Sequence, residues 1–158
     1  HAVVYDIGAG TGSVSVEAAL SGTGIRVYAV EKNPEAVSLI CQNRKKFRTD
    51  GIRVVSGKAP EALEDLEAPT HVFIGGSSGN LKEILRTVLD RSPEARIVVN
   101  AISLETVSEA MEAAEEGLLR DAQITQIMAS RSRKLGRYHM MTGQNPVYII
   151  SAGGRSDV

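Results

Sequence analysis

Asp6-Ile7-Gly8-Ala9-Gly10-Thr11-Gly12 is the stretch that decides the fold of this 158-residue chain. It follows a short apolar run, Ala2-Val3-Val4-Tyr5, and leads into an alanine-rich segment with helical spacing that ends at Leu20. A strand, a glycine loop and a helix in this order bring a nucleotide-like ligand against backbone amides at the helix N-terminus. Glycine permits close approach of that ligand, because it carries no Cβ.

The spacing of the glycines favours S-adenosylmethionine (SAM) over a dinucleotide. They follow the pattern G-x-G-x-G, with an acid two residues before the first, whereas dinucleotide folds have G-x-G-x-x-G. Glu31 ends the second predicted strand, close to the offset of roughly 20 residues expected of a ribose-binding acid. From the residues alone we predict a SAM site formed by Asp6, Gly8, Ala9, Gly10, Thr11, Gly12, Glu31 and Ala59.

Each of these residues has an expected role. Asp6 is predicted to hold the loop or to meet the ammonium group of the ligand, and Glu31 to accept both ribose hydroxyls. Ala59 follows the third predicted strand, where a backbone N–H commonly meets the adenine edge. No catalytic base is predicted, because the sulfonium already carries an activated methyl group and the site has only to align a nucleophile with it.

Composition excludes several other classes of protein. The net charge is −1, charged residues make up 23% and hydrophobic residues 42%, which fits one folded domain and argues against disorder or a wholly basic nucleic-acid binder. No long apolar run predicts a membrane span or a signal peptide. Cys41 is the only cysteine, so we expect no internal disulfide and a cytoplasmic setting. We also predict no metal site.

Strand and helix patterns alternate along most of the chain. Two helices have predicted N-caps, Asn33 before Pro34, and Asn80 with Glu83 three residues on. Five predicted strands lie at 2–7, 25–30, 52–55, 71–74 and 95–101, and two more, at 123–128 and 147–150, are expected to pair antiparallel. We predict an α/β fold with the Rossmann-like class I methyltransferase architecture, a mostly parallel seven-stranded sheet with an antiparallel C-terminal hairpin.

The segment Gly75-Gly76-Ser77-Ser78-Gly79 permits two interpretations. It fits G-x-S-x-G between a strand and a helix, the layout of a hydrolase nucleophile elbow with Ser77 as the nucleophile. Asp90 or Asp121, followed by His139, would then complete the triad. Only three strands precede the serine, and the glycine loop near the N-terminus would have no use, so this interpretation is the weaker one.

In the methyltransferase interpretation the same segment lies where the substrate meets the methyl group. Gly75, Gly76, Ser77 and Ser78 would leave room for a bulky substrate and offer backbone N–H groups to its carboxylates.

The C-terminal region is basic. Between Ala122 and Ser156 there is no acidic residue, and the span contains Arg131, Arg133, Lys134, Arg137, His139 and Arg155. An anionic partner is indicated. Because aromatic residues make up only 4% and tryptophan is absent, base-stacking platforms for RNA are scarce, and we expect no nucleic-acid partner. A polycarboxylate small molecule fits better, with Arg131 and Arg137 as bidentate carboxylate ligands.

Five motifs together resemble one family, the decarboxylating precorrin-6Y C-15 methyltransferases of cobalamin biosynthesis. They are Asp-Ile-Gly-Ala-Gly-Thr-Gly-Ser-Val-Ser-Val-Glu (6–17), Val-Glu-Lys-Asn-Pro-Glu-Ala (30–36), Gly-Lys-Ala-Pro-Glu-Ala-Leu (57–63), Ile-Gly-Gly-Ser-Ser-Gly-Asn-Leu (74–81) and Asn-Pro-Val-Tyr (145–148). The first two are shared by many methyltransferases. The last two are more specific to this family. The resemblance covers nearly the whole chain.

The resemblance implies SAM-dependent methylation of meso carbon 15 of a corrin precursor, precorrin-6B or its cobalt form, with loss of an acetate side chain as carbon dioxide. The conjugated macrocycle would take up the electron pair. The resemblance also implies a homotetramer, or fusion or pairing with a second precorrin methyltransferase. It also adds Lys58 to the SAM site. Many relatives have an aspartate there, which would accept a hydrogen bond from the adenine amine. Because a lysine cannot do so, the backbone of Ala59 is the expected adenine contact. We expect residues 1–158 to be a single domain that lacks the family's N-terminal helical segment.

Three alternatives stay open from the sequence. The fold would equally serve a methyltransferase that acts on tRNA or on another substrate, which salt-dependent RNA binding would favour. Loss of esterase activity on Ser77→Ala would favour the hydrolase. A module that binds SAM without transferring its methyl group is the third.

Overall fold

A computed structural model gives the structure of residues 1–153. Within them, strands and helices alternate as far as the fourth helix, and strands alone follow. The elements are β1 (Val3–Ile7), α1 (Ser13–Leu20), β2 (Arg26–Glu31), α2 (Pro34–Lys46), β3 (Ile52–Ser56), β4 (His71–Ile74), α3 (Leu81–Arg91), β5 (Arg96–Ala101), α4 (Leu104–Glu115), β6 (Gln123–Ile127), β7 (Ser130–Leu135), β8 (Tyr138–Gly143) and β9 (Val147–Gly153). A short 3-10 helix, Glu61–Leu63, follows β3.

Seven strands form one sheet in the order β3-β2-β1-β4-β5-β9-β6. The first five are parallel to one another, and β9 lies antiparallel between β5 and β6. The predicted α/β class and the antiparallel pairing of the last two strands of this sheet are confirmed. Ile7 is paired with both Val30 and Ile74, so the carboxyl ends of β1, β2 and β4 meet at one edge.

The segment between β6 and β9 differs from the prediction. The sequence analysis predicted no strand there, but β7 and β8 pair antiparallel with each other as a separate two-stranded sheet. All of their residues are exposed, so the hairpin has no buried face of the kind that produces a recognisable hydrophobic pattern. Arg155 of the basic region lies outside the described residues.

Helices cover both faces of the sheet. On one face α3 buries Leu81, Ile84, Leu85 and Val88, which recur at helical spacing. Each large apolar side chain buried in this way contributes roughly 1.5–3 kcal/mol relative to an exposed one. On the other face, Val16 of α1 and Ile40 of α2 pack in a second cluster with residues of β2 and β3. No helix among residues 1–153 has the length and apolar character needed to cross a membrane.

The two predicted N-caps differ in outcome. Asn33 caps α2, since its side-chain oxygen accepts a hydrogen bond from the Glu35 backbone N–H at 2.9 Å. Asn80 precedes α3, but its side chain makes no capping hydrogen bond, so that prediction is wrong. Its φ of −117° and ψ of 27° differ from the extended backbone that Asn33 adopts. The ψ angle typical of an N-cap residue is therefore absent at Asn80.

Candidate functional site

Hydrogen bonds hold the glycine loop against the end of β2. The backbone N–H groups of Gly8 and Ala9 both donate to the carbonyl oxygen of Val30, at 2.9 and 3.1 Å. Gly8, Gly10 and Gly12 have φ angles of 72°, 57° and 76°, a region that glycine enters without strain. The loop can therefore turn sharply from β1 into α1 while lying against the neighbouring strand.

Glu31 is held by two backbone donors. Its Oε2 accepts a hydrogen bond from Gly10 N and its Oε1 accepts one from Asn33 N, each at 2.9 Å. The carboxylate thus links the glycine loop to the start of α2 and is fixed in orientation. Each oxygen keeps a further lone pair, because a carboxylate has about four acceptor positions. Two hydroxyl groups of a ligand can be accepted there.

A cavity of about 190 Å³ opens beside Glu31 at the carboxyl edge of the sheet. Its wall includes Gly8 from the glycine loop and Lys58 and Ala59 from the turn after β3. The structure therefore brings four of the predicted SAM residues together around one cavity. Ala9, Gly10, Thr11 and Gly12 continue the loop without lining that cavity, and Gly76, Ser77 and Ser78 form its far side.

Asp6 is buried and does not line the cavity. Only 1% of the residue is exposed, and Ser15 of α1 donates a hydrogen bond from its Oγ to Asp6 Oδ2 at 2.5 Å. Burial raises the pKa of the Asp6 carboxyl, and the hydrogen bonds from Ser15 oppose this rise. In this structure Asp6 ties the first turn of α1 to the end of β1.

The segment 75–79 leaves β4 and returns to the glycine loop. Gly75 N and Gly76 N both donate to the carbonyl oxygen of Ile7, at 2.9 and 3.3 Å. Ser78 has a φ of 52°, and its Oγ accepts a hydrogen bond from Lys32 Nζ at 2.9 Å. The sequence analysis missed Lys32. Its only signal was its position directly after Glu31 at a strand end.

The geometry around Ser77 does not match a hydrolase. Ser77 is 8% exposed, and the left-handed backbone falls on Ser78, the following residue. His139 lies in β8, where it is paired with Lys134 of β7. Within residues 1–153, no hydrogen bond joins Ser77 to a histidine. The triad that the motif required is therefore not assembled in the described part of the chain.

The two arginines predicted to bind substrate lie apart from the cavity. Arg131 is in β7, opposite Thr142, and Arg137 is in the turn that joins β7 to β8. Arg137 donates to the Tyr138 hydroxyl at 2.9 Å, and its guanidinium lies 5.1 Å from the centre of that ring. Neither arginine lines the cavity beside Glu31.

Strand order and loop geometry together define a class I methyltransferase fold, with the glycine loop and an acid at the end of β2 on the ligand-binding edge. The model of the precorrin methyltransferase domain family matches residues 1–152. The chain belongs to this family.

Individual relatives agree with this assignment. A Pyrobaculum calidifontis protein named "Probable cobalt-precorrin-6B C(15)-methyltransferase (decarboxylating)" is 45% identical over 152 residues, which are 95% of this chain and 77% of that protein. The crystal structure of precorrin-6y C5,15-methyltransferase from Geobacter metallireducens superposes with a TM-score of 0.88 at 39% identity, and covers 96% of this chain and 80% of its own. Precorrin 8w decarboxylase from Methanobacterium thermoautotrophicum gives a TM-score of 0.87 at 40% identity, with coverages of 97% and 82%.

Proposed function

We propose that this chain is a SAM-dependent C-methyltransferase of cobalamin biosynthesis. Its substrate would be precorrin-6B or the cobalt form, methylated at carbon 15 and decarboxylated at an acetate side chain. The main support is the family match over residues 1–152, together with relatives whose names carry both activities. The cavity beside Glu31 supports the same proposal, because it lies at the edge of the sheet where this fold binds its ligand.

The residues present fit SAM. The Glu31 carboxylate has acceptor capacity left for two ribose hydroxyls, and the Ala59 backbone lies across the same cavity, on the side proposed for adenine. Lys58 carries a cation where an acid would accept the adenine amine, so we assign the adenine contact to the backbone. The glycine loop would lie against the amino-acid end of the ligand. When bound, SAM supplies a methyl group already activated on its sulfonium.

We also propose that the hairpin of β7 and β8 meets the carboxylates of the substrate. Arg131 and Arg133 lie on the same face of β7, and Arg137 follows in the turn. Guanidinium groups bind carboxylates in bidentate fashion, and a tetrapyrrole with several acidic side chains offers many such groups.

A homotetramer is part of the proposal. The hairpin pairs with no other strand of residues 1–153, and an isolated two-stranded hairpin is marginally stable in water. Leu135, Tyr138 and Met140 lie on one face of it and are 60%, 58% and 54% exposed. The same face carries Arg131 and Arg133, so a second copy that covers its apolar side chains would bring these arginines to the border of the contact between copies, where they would still meet the substrate. We place the enzyme in the cytoplasm, in keeping with its single cysteine, Cys41.

The test is to incubate the chain with SAM carrying a labelled methyl group and with cobalt-precorrin-6B. We expect label in the tetrapyrrole and release of carbon dioxide. Calorimetry should show that Glu31→Gln weakens SAM binding by about 1–3 kcal/mol, because one acceptor of a charged hydrogen-bond pair is lost.

Glu35→Gln is the matched control, since Glu35 lies exposed in the first turn of α2. It should bind SAM as the unchanged chain does. An unaltered affinity in Glu31→Gln would reject Glu31 as the ribose ligand. SAM binding without any methyl transfer would instead identify a non-catalytic binding module.

A further inference from the structure

A second cavity lies on the other side of segment 75–79. Its volume is about 280 Å³, and it opens between the carboxyl ends of β4 and β5. Gly76, Ser77 and Ser78 line both this cavity and the cavity beside Glu31, so they form a thin wall between the two. A ligand in the second cavity would therefore lie against the same segment as a ligand in the cavity beside Glu31.

Within residues 1–153, the second cavity has polar side chains in its lining but no charged ones. Among the described residues that line it, none is a lysine, arginine, histidine, aspartate or glutamate. Its polar side chains include the half-buried amide of Asn100, at the end of β5, and the hydroxyl of Thr106, in the first turn of α4. Thr106 Oγ1 lies 3.0 Å from Ser103 Oγ, a contact that orients the Thr106 hydroxyl.

The mouth of this cavity is apolar. Ile102 lines it and is 70% exposed, and Leu104, two residues further along, is 75% exposed. Two large apolar side chains exposed beside a cavity provide a surface on which a conjugated ring system can pack. Their exposure to water costs free energy, which a ligand that covers them would recover.

We infer that this second cavity binds the acetate side chain that is lost as carbon dioxide, with the macrocycle packed against Ile102 and Leu104. This inference rests on the proposed function. Asn100 and Thr106 orient the acetate through neutral donors. The bond between its methylene carbon and its carboxylate carbon then breaks, and carbon dioxide leaves. The electron pair passes into the conjugated macrocycle, and a proton from water converts the methylene to a methyl group.

The absence of charge among these lining residues favours the loss of carbon dioxide. The carboxylate begins with a localised negative charge and disperses it as the bond breaks. A nearby cation would stabilise the starting carboxylate more than the transition state, and so would slow the reaction. The other carboxylates of the substrate, which are not lost, would bind instead to the arginines of the β7–β8 hairpin.

Two substitutions of opposite charge test this inference with cobalt-precorrin-6B as the substrate. Thr106→Lys places a cation in the cavity. We expect KM to stay the same or to fall, and kcat for carbon dioxide release to fall at least tenfold, which is about 1.4 kcal/mol in the barrier. Asn100→Asp places an anion beside the acetate, and we expect KM to rise about tenfold. The affinity for SAM, measured by calorimetry, should stay within about threefold in both variants.

Ser38→Lys is the matched control for Thr106→Lys, since Ser38 is exposed on α2, which contributes no residue to either cavity. It should leave both constants unchanged. An unchanged kcat for carbon dioxide release in Thr106→Lys, or an unchanged KM in Asn100→Asp, would overturn the inference. Thermal unfolding of each variant shows that it is folded. A failure of the unchanged chain to methylate or decarboxylate would contradict the proposed function itself.

Discussion

A Cβ atom added to Gly8 would lie 2.7 Å from both the backbone nitrogen and the backbone oxygen of Gly76. The loop after β1 and the loop after β4 therefore touch backbone to backbone, and no flexible side chain can give way. Gly8 also has a φ of 72°. We expect Gly8→Ala to lower the free energy of unfolding by about 2–4 kcal/mol, from overpacking and backbone strain together. Urea denaturation measures this loss.

Gly117→Ala separates the two causes. Gly117 has a similar φ of 79°, but its added Cβ would meet no atom within 4 Å. Only the backbone strain, about 1 kcal/mol, should remain. Affinity for SAM should fall at least tenfold in Gly8→Ala, because the two loops that border the cavity are forced apart. An equal loss of stability in the two variants would show that the contact with Gly76 is unimportant.

The buried carboxyl of Asp6 predicts a pH-dependent stability. Because burial raises its pKa in the folded state, the native protein binds a proton more tightly there than the unfolded chain does. The contribution of Asp6 is therefore most favourable below its ordinary pKa and is lost as the pH rises through the folded-state pKa. Asp6→Asn should remove this loss while keeping an oxygen to accept the Ser15 hydrogen bond.

We expect the free energy of unfolding of Asp6→Asn, relative to the unchanged chain, to increase as the pH is raised from about 4 to 7. Urea denaturation at several pH values gives the curve. Asp90→Asn, at an exposed position of α3, is the control and should run parallel to the unchanged chain. A parallel curve for Asp6→Asn as well would contradict the assignment.

Neutralising Arg131 and Arg137 together should impair the use of substrate more than the binding of SAM. Both lie on the exposed hairpin and not around the cavity beside Glu31. We expect kcat/KM for cobalt-precorrin-6B to fall by about 10- to 100-fold in the double glutamine variant, as two charged hydrogen-bond partners are lost. SAM affinity by calorimetry should stay within about twofold.

The double variant Lys45→Gln and Lys46→Gln removes the same charge from the last turn of α2 and serves as the control. Equal losses in turnover and SAM affinity in the arginine variant would reject the hairpin as a carboxylate clamp.

Charges placed among the apolar side chains of the hairpin should dissociate the proposed homotetramer. Leu135→Lys combined with Met140→Lys puts two cations on the face that also carries Arg131 and Arg133. Light scattering during gel filtration should show a smaller species. Leu20→Lys, at a 57% exposed position at the end of α1, should leave the mass unchanged. An unchanged mass in the double variant would contradict assembly through this face.

Several residues that line the cavity beside Glu31 could be predicted from the sequence, because their positions depend on local patterns. Apolar runs mark β1, β2 and β4, and the parallel pairing of such runs places their carboxyl ends together. Gly8 directly follows β1, and Glu31 is the last residue of β2. That both line one cavity could therefore be predicted without knowledge of long-range packing. Asn33 was predictable as a cap for the same reason, since its partner is two residues away.

Other contacts depend on how distant segments pack. Lys32 meets Ser78 across 46 positions of the chain. Asn100 and Thr106 line one cavity because α4 packs against β5. The hydrogen bond between Ser15 and Asp6 likewise depends on how α1 packs against β1. The β7–β8 hairpin was not predicted, because all residues of its two strands are exposed and so give no alternating hydrophobic pattern.

The sequence by itself determined the α/β class, the glycine loop and the acid at the end of β2, because hydrophobic periodicity and glycine spacing are properties of neighbouring residues. Only the tertiary structure decided that segment 75–79 is a wall between two cavities. That relationship depends on the backbone contact of Gly8 with Gly76 and on the position of α4. Both result from packing across the whole sheet, which no local pattern encodes.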